Sequence, residues 1–336
     1  MHRLLLTIIC LMLARNSLAF DQQNLMKVFF SVVLVRGYDQ NGGLSYGSGV
    51  VVGDNRVVTN CHVLRSTTKA WISQAEDAYP VESIQADPNH DLCLLNIDRL
   101  PRKPVELGNT SNLGKGAEVV SIGHSSGSPS PMTSGGQVKS IYSYDGGNII
   151  RTNARFSLGA SGSPLFDSQG RLIAINTFKT PGKQAYFYAM PVEWVKDLEK
   201  LPAQKNLPIT GQAFWEQPED QKPFFMQTAL PHLNSDWVRL SEISQQWLKV
   251  EPNNPEAWYE LGSAQEGLGR DEDARKSYLT ATRLDPYHTD ALFRLGVFAS
   301  KQGNIAETHQ IALTLTEIDP EMAVIFKDTV GCKQNC

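Results

Sequence analysis

The sequence predicts two domains of different class, an all-β domain over residues 20–200 and an all-α repeat domain over residues 236–325. Three observations carry this. Between Leu25 and Lys200 short runs of Val, Ile and aromatic residues alternate with turn signals at hairpin spacing. These are Asn41-Gly42-Gly43, Gly53-Asp54-Asn55, Gly108-Asn109, Asp145-Gly146-Gly147 and Ser168-Gln169-Gly170. No helical periodicity separates the runs, which argues against a parallel βαβ sheet and for an antiparallel barrel or sandwich. Later in the chain a 34-residue period takes over, relating Pro252, Pro286 and Pro320, and pairing Leu261 with Leu295 and Gly262 with Gly296. A chain of 336 residues, 41% hydrophobic and 20% charged, is long enough for both and too apolar to be disordered. Its net charge of −4 gives no electrostatic footprint for nucleic acid.

The N-terminus reads as a secretory signal peptide over residues 1–19. Arg3 precedes the apolar run Leu4–Leu13, and Ser17-Leu18-Ala19 supplies small residues at a cleavage site. The run is too short to span a bilayer, and no later segment is long enough, so no membrane span is expected after its removal. Export agrees with four further cysteines, Cys61, Cys93, Cys332 and Cys336, an even number suited to disulfides. A metal site built from Cys61, His62, His90 and Cys93 is the competing reading. Its spacing matches no closed tetrahedral pattern, so neither a metal nor a cofactor is expected.

Strands are expected at Val28–Val35, Gly49–Val52, Val57–Thr59, Leu92–Ile97, Glu118–Ile122, Leu172–Thr177 and Ala185–Met190. Val192, Val195, Leu198 and Leu201, at helical spacing, predict a closing helix over 191–201. Two serines in this domain could be nucleophiles. Ser125 lies in Gly123-His124-Ser125-Ser126-Gly127, the pentapeptide of a strand-to-helix elbow. Pro129 and Pro131 follow at once and cannot open the helix an elbow requires, so a Gly/Ser loop is expected. Ser161 lies in Gly159-Ala160-Ser161-Gly162-Ser163-Pro164. Upstream are His62, ending the run Val57–Val63, and Asp91, opening Leu92–Leu95; the order is His, Asp, Ser with gaps of 29 and 70 residues. Each residue alone has a plain structural use, as a core histidine, a turn aspartate or a loop serine. Together, in that order, they match one of the known triad arrangements.

With Gly47-Ser48-Gly49-Val50, Thr59-Asn60-Cys61-His62-Val63, His90-Asp91-Leu92, Gly159–Pro164 and Ile173–Thr177, the chain resembles the chymotrypsin-like serine proteases. Within them it is similar to the Deg/HtrA and glutamyl-endopeptidase branches. The resemblance implies two six-stranded barrels with the site in the cleft between them. It implies His62 as general base, Asp91 as its orienting acid and Ser161 as nucleophile, with the Gly159 and Ser161 N–H groups as oxyanion hole. Asp87, His90 and His124 are read as turn and loop residues. Because the side chains of His62 and Asp91 must meet, their neighbours Cys61 and Cys93 are expected to be bridged, leaving Cys332 with Cys336. The position before the nucleophile, aspartate where a new N-terminus activates a zymogen, is Ala160. In such folds the residue six before the nucleophile lies at the base of the substrate pocket. Here it is Arg155, which could select an acidic residue. The favoured reading turns Arg155 to solvent, with Phe156 or the strand holding Ile175, Asn176 and Thr177 shaping a small apolar pocket.

Pro202, Pro208, Pro218, Pro223 and Pro231 mark a connector over 201–235 with little regular structure. Trp258, Leu261, Gly262, Ala274, Tyr278, Ala281 and Pro286 resemble a tetratricopeptide repeat, and Leu292, Leu295, Gly296, Ala312 and Pro320 a weaker second copy. Trp237–Val250 aligns with the second helix of a degenerate earlier copy; residues 326–336 are read as a tail. Such repeats must stack to bury their faces. They would either brace the first domain or present a surface to a protein partner. The two functional hypotheses are an exported serine endopeptidase acting on protein or peptide substrates, and a non-catalytic scaffold whose repeats carry the function. An intact triad favours the first.

Overall fold

The β-rich runs pair into two closed antiparallel barrels in the computed structural model, which describes residues 22–74, 76–182 and 185–331. The first barrel is built from β1 (Val32–Asp39), β2 (Leu44–Gly53), β3 (Arg56–Asn60), β4 (Thr67–Gln74), β5 (Asp77–Asp87) and β6 (Leu92–Ile97). Its strand order is β1-β2-β3-β6-β5-β4. The second is built from β7 (Glu118–Gly123), β8 (Met132–Tyr144), β9 (Gly147–Thr152), β10 (Pro164–Asp167), β11 (Leu172–Lys179) and β12 (Phe187–Pro191). Its order is β10-β11-β12-β9-β8-β7. Closure leaves no unpaired strand edge. Val35, Val57, Ile72 and Leu95 fill the first barrel, and Val119, Ile150, Leu165 and Ile173 the second. A third cluster, including Val50, Leu92, Ile122, Phe166 and Ile175, joins them.

Three sequence expectations are corrected. Val28 does not begin a strand: α1 (Gln22–Phe29) is a helix, and β1 starts at Val32. The connector holds more structure than its prolines suggest. It carries a 3₁₀ turn at Phe214–Glu216 and the short helices α3 (Phe224–Gln227) and α4 (Ala229–Leu233). Phe214 and Phe225 are buried in the cluster that joins the barrels. The helical region also does not stop at residue 325, because α10 (Pro320–Thr329) buries Phe326 completely. The expected signal peptide and the Cys332–Cys336 bridge lie outside the described residues.

A closing helix follows β12 as expected, α2 (Val192–Asp197) with a 3₁₀ turn after it. The repeats form α5 (Trp237–Val250), α6 (Pro255–Gly267), α7 (Asp271–Leu284), α8 (Thr289–Lys301) and α9 (Ile305–Ile318), ended by α10. Asn254 caps α6 ahead of Pro255, and Asp319 caps α10 ahead of Pro320, so cap and first-turn proline recur at the joins. The repeated glycines permit close helix crossings. A Cβ on Gly262 would stand 2.7 Å from the Tyr278 ring, and one on Gly296 2.5 Å from Phe326.

The helical stack docks on the second barrel through acidic residues spaced by the repeat itself. Glu256 and Asp290 are one period apart, as are Asp285 and Asp319. Lys115 is paired with Glu256 and lies 4.0 Å from Asp285; Lys139 lies 3.2 Å from Asp319, and Arg151 3.7 Å from Asp290. Lys115 and Glu256 side chains are only 6% and 5% exposed. His288 is fully buried beside them, its Nδ1 accepting from the Ala291 N–H at 3.3 Å and its Nε2 3.5 Å from Glu256.

Candidate active site

His62 stands on a 3₁₀ turn immediately after β3, and Asp91 at the entry to β6, the strand paired with β3. That pairing aligns Thr59 with Cys93 and brings the next residues into reach. Cys61 and Cys93 are joined by a disulfide, with their Cα atoms 5.0 Å apart. Asp91 is fully buried and grips His62 twice. Its Oδ1 accepts from the His62 backbone N–H at 2.8 Å, and its Oδ2 lies 2.6 Å from the ring Nδ1. A buried carboxylate at that distance fixes the tautomer with the proton on Nδ1 and leaves Nε2 free as a base. Asp91 holds a φ of +59°, a left-handed conformation that Asp tolerates better than most residues. Asn60 braces it from behind, its Nδ2 donating to the Asp91 carbonyl at 3.0 Å and to Thr177 Oγ1 at 2.9 Å.

Ser161 comes from the other barrel, on the turn before β10. Gly162 packs against the Ser48 carbonyl, Thr59 Oγ1 and the Asn60 backbone, so this turn lies on the segment that leads into His62. No hydrogen bond joins Ser161 Oγ to His62 among the described residues. Gly159 has a φ of +90°, and a Cβ there would lie within 2.8 Å of the His124 carbonyl, the Gly127 N–H and the Tyr46 ring. Only glycine satisfies both the angle and the space. In the turn, Ala160 donates to Ser157 and Gly162 to Asn176, while the Gly159 and Ser161 N–H groups have no acceptor among the described residues. An oxyanion hole requires backbone donors left open beside the nucleophile.

Ser48 organises this turn, a use the Gly-Ser-Gly motif signalled without specifying. It is fully buried on β2. Its Oγ donates to the Gly159 carbonyl at 2.8 Å and accepts from the His124 N–H at 2.8 Å, and its own N–H donates to the Ser161 carbonyl at 2.8 Å. Sequence reasoning also missed Trp215. Its indole meets the His62 ring edge to face at 5.8 Å and 87°.

The remaining candidates have separate places. Ser125 sits on a 3₁₀ turn between β7 and β8, without the helix of an elbow. His124 is buried with Nδ1 2.7 Å from the Ser128 carbonyl, and burial pushes its pKa down. His90 stacks on Trp194 at 3.9 Å, with Asp87 at 2.6 Å and Asp145 at 3.0 Å. Burial opposes its charge, but the two carboxylates prevail and raise its pKa. Ile175, Asn176 and Thr177 are all buried. Ile175 packs in the core, and Asn176 donates to Ser121 Oγ at 2.8 Å and Ser163 Oγ at 3.0 Å. Arg155 is exposed, and with Lys179, Tyr186, Phe187 and His232 it lines a cavity of about 520 Å³ between the second barrel and α4.

Residues 47–175 match the family model of the trypsin-like peptidase domain. The chain carries a trypsin-like peptidase domain. Residues 255–288 match the tetratricopeptide repeat. A curated relative, the "Anti-sigma-I factor RsgI9" of Acetivibrio thermocellus, is 32% identical over 51% of this chain and 25% of its own length. The "Probable periplasmic serine endoprotease DegP-like" of Chlamydia pneumoniae is 29% identical over 48% of this chain and 35% of its own. The chain spans about a quarter to a third of the length of these curated relatives. Among solved structures, the active form of the Rv3671c protease from M. tuberculosis superposes with a TM-score of 0.51. It shares 20% identity over 58% of this chain and 89% of that one, a likeness of fold.

Proposed function

We propose that this protein is an exported serine endopeptidase. Ser161 attacks the peptide carbonyl as His62 Nε2 takes its proton; His62 then protonates the leaving amine, and water releases the acyl group by the same route. Asp91 keeps the imidazole in the required tautomer and stabilises the imidazolium. The Gly159 and Ser161 N–H groups receive the oxyanion, each such donor contributing about 3 kcal/mol to the transition state. The observation that carries the reading is the fully buried Asp91 carboxylate at 2.6 Å from His62 Nδ1, with a serine turn from the other barrel packed on the segment that leads into His62, its Gly159 and Ser161 N–H groups without an acceptor among the described residues. The Cys61–Cys93 disulfide supports an oxidising compartment. In this reading the repeats brace the second barrel through the acidic ladder, and whatever surface remains is available to a protein partner.

Fluorophosphonate labelling at neutral pH tests the assignment. The wild type is expected to label and Ser161→Ala not to, with proteolysis lowered by several orders of magnitude in the variant. Absence of labelling in the wild type would favour the non-catalytic scaffold. A comparable loss from Ser125→Ala in a folded protein would move the nucleophile.

A further inference from the structure

The connector does more than join two domains, because it is fastened to both loops that carry the candidate base and its acid. On the Asp91 side, the Phe214 N–H donates to the Asn89 carbonyl at 3.0 Å, and Gly211 packs against Pro88. On the His62 side, Glu216 Oε1 lies 2.6 Å from Arg65 Nη1, three residues beyond the histidine. The other oxygen of Glu216 accepts from the Ala213 N–H at 3.0 Å, which closes the turn on itself. Between these two fastenings Trp215 is held against the His62 imidazole, and the indole stacks on Phe178 at 5.0 Å and 20°. Phe178 stacks in turn on Tyr188 at 4.8 Å, which meets Phe225 on α3 tilted at 5.9 Å and 44°, while Phe224 stacks on Trp247 of α5 at 6.1 Å. The indole that touches His62 is therefore set in an aromatic row that reaches the helical domain.

We propose that Trp215 is a positioning residue for His62, so that the connector completes the active site. The ring of His62 is tied at one point, Nδ1, and a single hydrogen bond leaves an imidazole free to pivot about it. A rigid aromatic wall against the ring removes that pivot and keeps Nε2 directed at the serine turn. The barrels alone supply the triad residues but not this wall, since Trp215 lies beyond β12 and α2. Apolar packing also keeps water from one side of the ring, where it would compete for Nε2.

This inference rests on the protease reading, and the experiment separates the two. Full-length wild type, Trp215→Ala, Trp215→Phe and Glu216→Ala are compared by thermal unfolding, by the rate of fluorophosphonate labelling at Ser161 and by steady-state cleavage of a peptide. Misplacement of a catalytic group by about 1 Å can cost on the order of 100-fold in rate. Trp215→Ala is expected to label roughly 10- to 100-fold more slowly, with kcat reduced by a similar factor and KM changed less than about 2-fold. Trp215→Phe should recover most of the rate, which loss of generic packing would not predict. Glu216→Ala, which removes one fastening and leaves the indole, should show a smaller loss in kcat. It also keeps the idea testable if Trp215→Ala is unfolded. Wild-type rates in Trp215→Ala and Glu216→Ala would overturn the positioning role and leave the protease reading standing. A wild type that never labels would overturn both.

Discussion

Glu256→Leu and Lys115→Met, singly and together, measure how firmly the helical stack is fixed to the barrel. The Lys115 and Glu256 side chains are 6% and 5% exposed, so each charge depends on the other for compensation. Deleting Glu256 leaves the Lys115 ammonium with Asp285 at 4.0 Å as its remaining carboxylate partner, while Ser140 Oγ, 3.4 Å from Glu256, keeps the Lys139 carbonyl at 2.8 Å. Deleting Lys115 leaves the Glu256 carboxylate facing a buried, neutral His288. Stranding one member of a buried pair typically costs about 3–5 kcal/mol, whereas replacing both by apolar groups of similar size is close to neutral. For a cooperative unit of this size that corresponds to a fall in Tm of roughly 6–20 °C for each single variant. Lys115→Met with Glu256→Leu should lose much less than the sum of the singles. Differential scanning calorimetry read with limited proteolysis of the helical region is the appropriate assay. If the single variants cost under about 1 kcal/mol, or if the double variant is simply additive, the pair does not hold the interface and the docking rests on apolar contact alone.

Three further outcomes are expected. Ser48→Ala strands the Gly159 carbonyl and the His124 N–H in a buried site. It should cost about 2–4 kcal/mol in denaturant unfolding and reduce peptide cleavage through a disordered Gly159–Ser161 turn; an unchanged Cm would refute the hub. His288 is held well below the ordinary histidine pKa by burial and by Lys115, with Arg151 adding to the effect against Asp290. A depressed folded pKa means that the unfolded chain binds more protons, so this contribution is present above about pH 6.5 and lost as pH falls below it. His232 and His90 have the opposite sign: Glu260 raises the first against its burial, and the contribution is lost as pH rises. His288→Asn, which keeps a cap acceptor, should therefore flatten the acid limb of a Tm–pH profile specifically; an identical profile would contradict it. Arg155→Ala should leave the cleavage preference at the scissile residue unchanged, because Arg155 is exposed; loss of a Glu or Asp preference in a peptide-library profile would show that it lines the substrate pocket after all.

The parts of the fold legible in the sequence are those where one physical demand dominates. β3, β6 and β11 bury most of their side chains, and β1 and β2 bury a continuous central run, so each appears as a stretch of Val, Ile or Leu. β5 and β8 pass unnoticed because few of their residues are fully buried and β8 carries Gly135-Gly136, and β10 is only four residues long. His62, Asp91 and Ser161 stood out as candidates because three short motifs follow one another in a fixed order, the last of them carrying glycine on both sides of the serine. Trp215 was not, since it sits in a proline-rich stretch where no periodicity marks a contact, and its partner is 153 positions away in sequence. The connector's burial was hidden for the same reason. Proline excludes regular ladders, but Phe214 and Phe225 still pack.

The acidic ladder gives the junction between the domains a pitch. Glu256 and Asp290, like Asp285 and Asp319, recur at the helical repeat, while Lys115, Lys139 and Arg151 sit at fixed points on a barrel that cannot stretch. Barrel and solenoid are in phase like the teeth of a rack and a gear. A one-residue insertion in the turn Asp285–His288 would leave each helix pair able to stack, yet shift Asp290 and Asp319 together out of step with their cations. Adding a whole repeat after Ile318 would leave the contacts at Glu256, Asp285 and Asp290 in place. The junction thus tolerates changes in units of one period, whereas fractional changes in length cost ion pairs at the barrel.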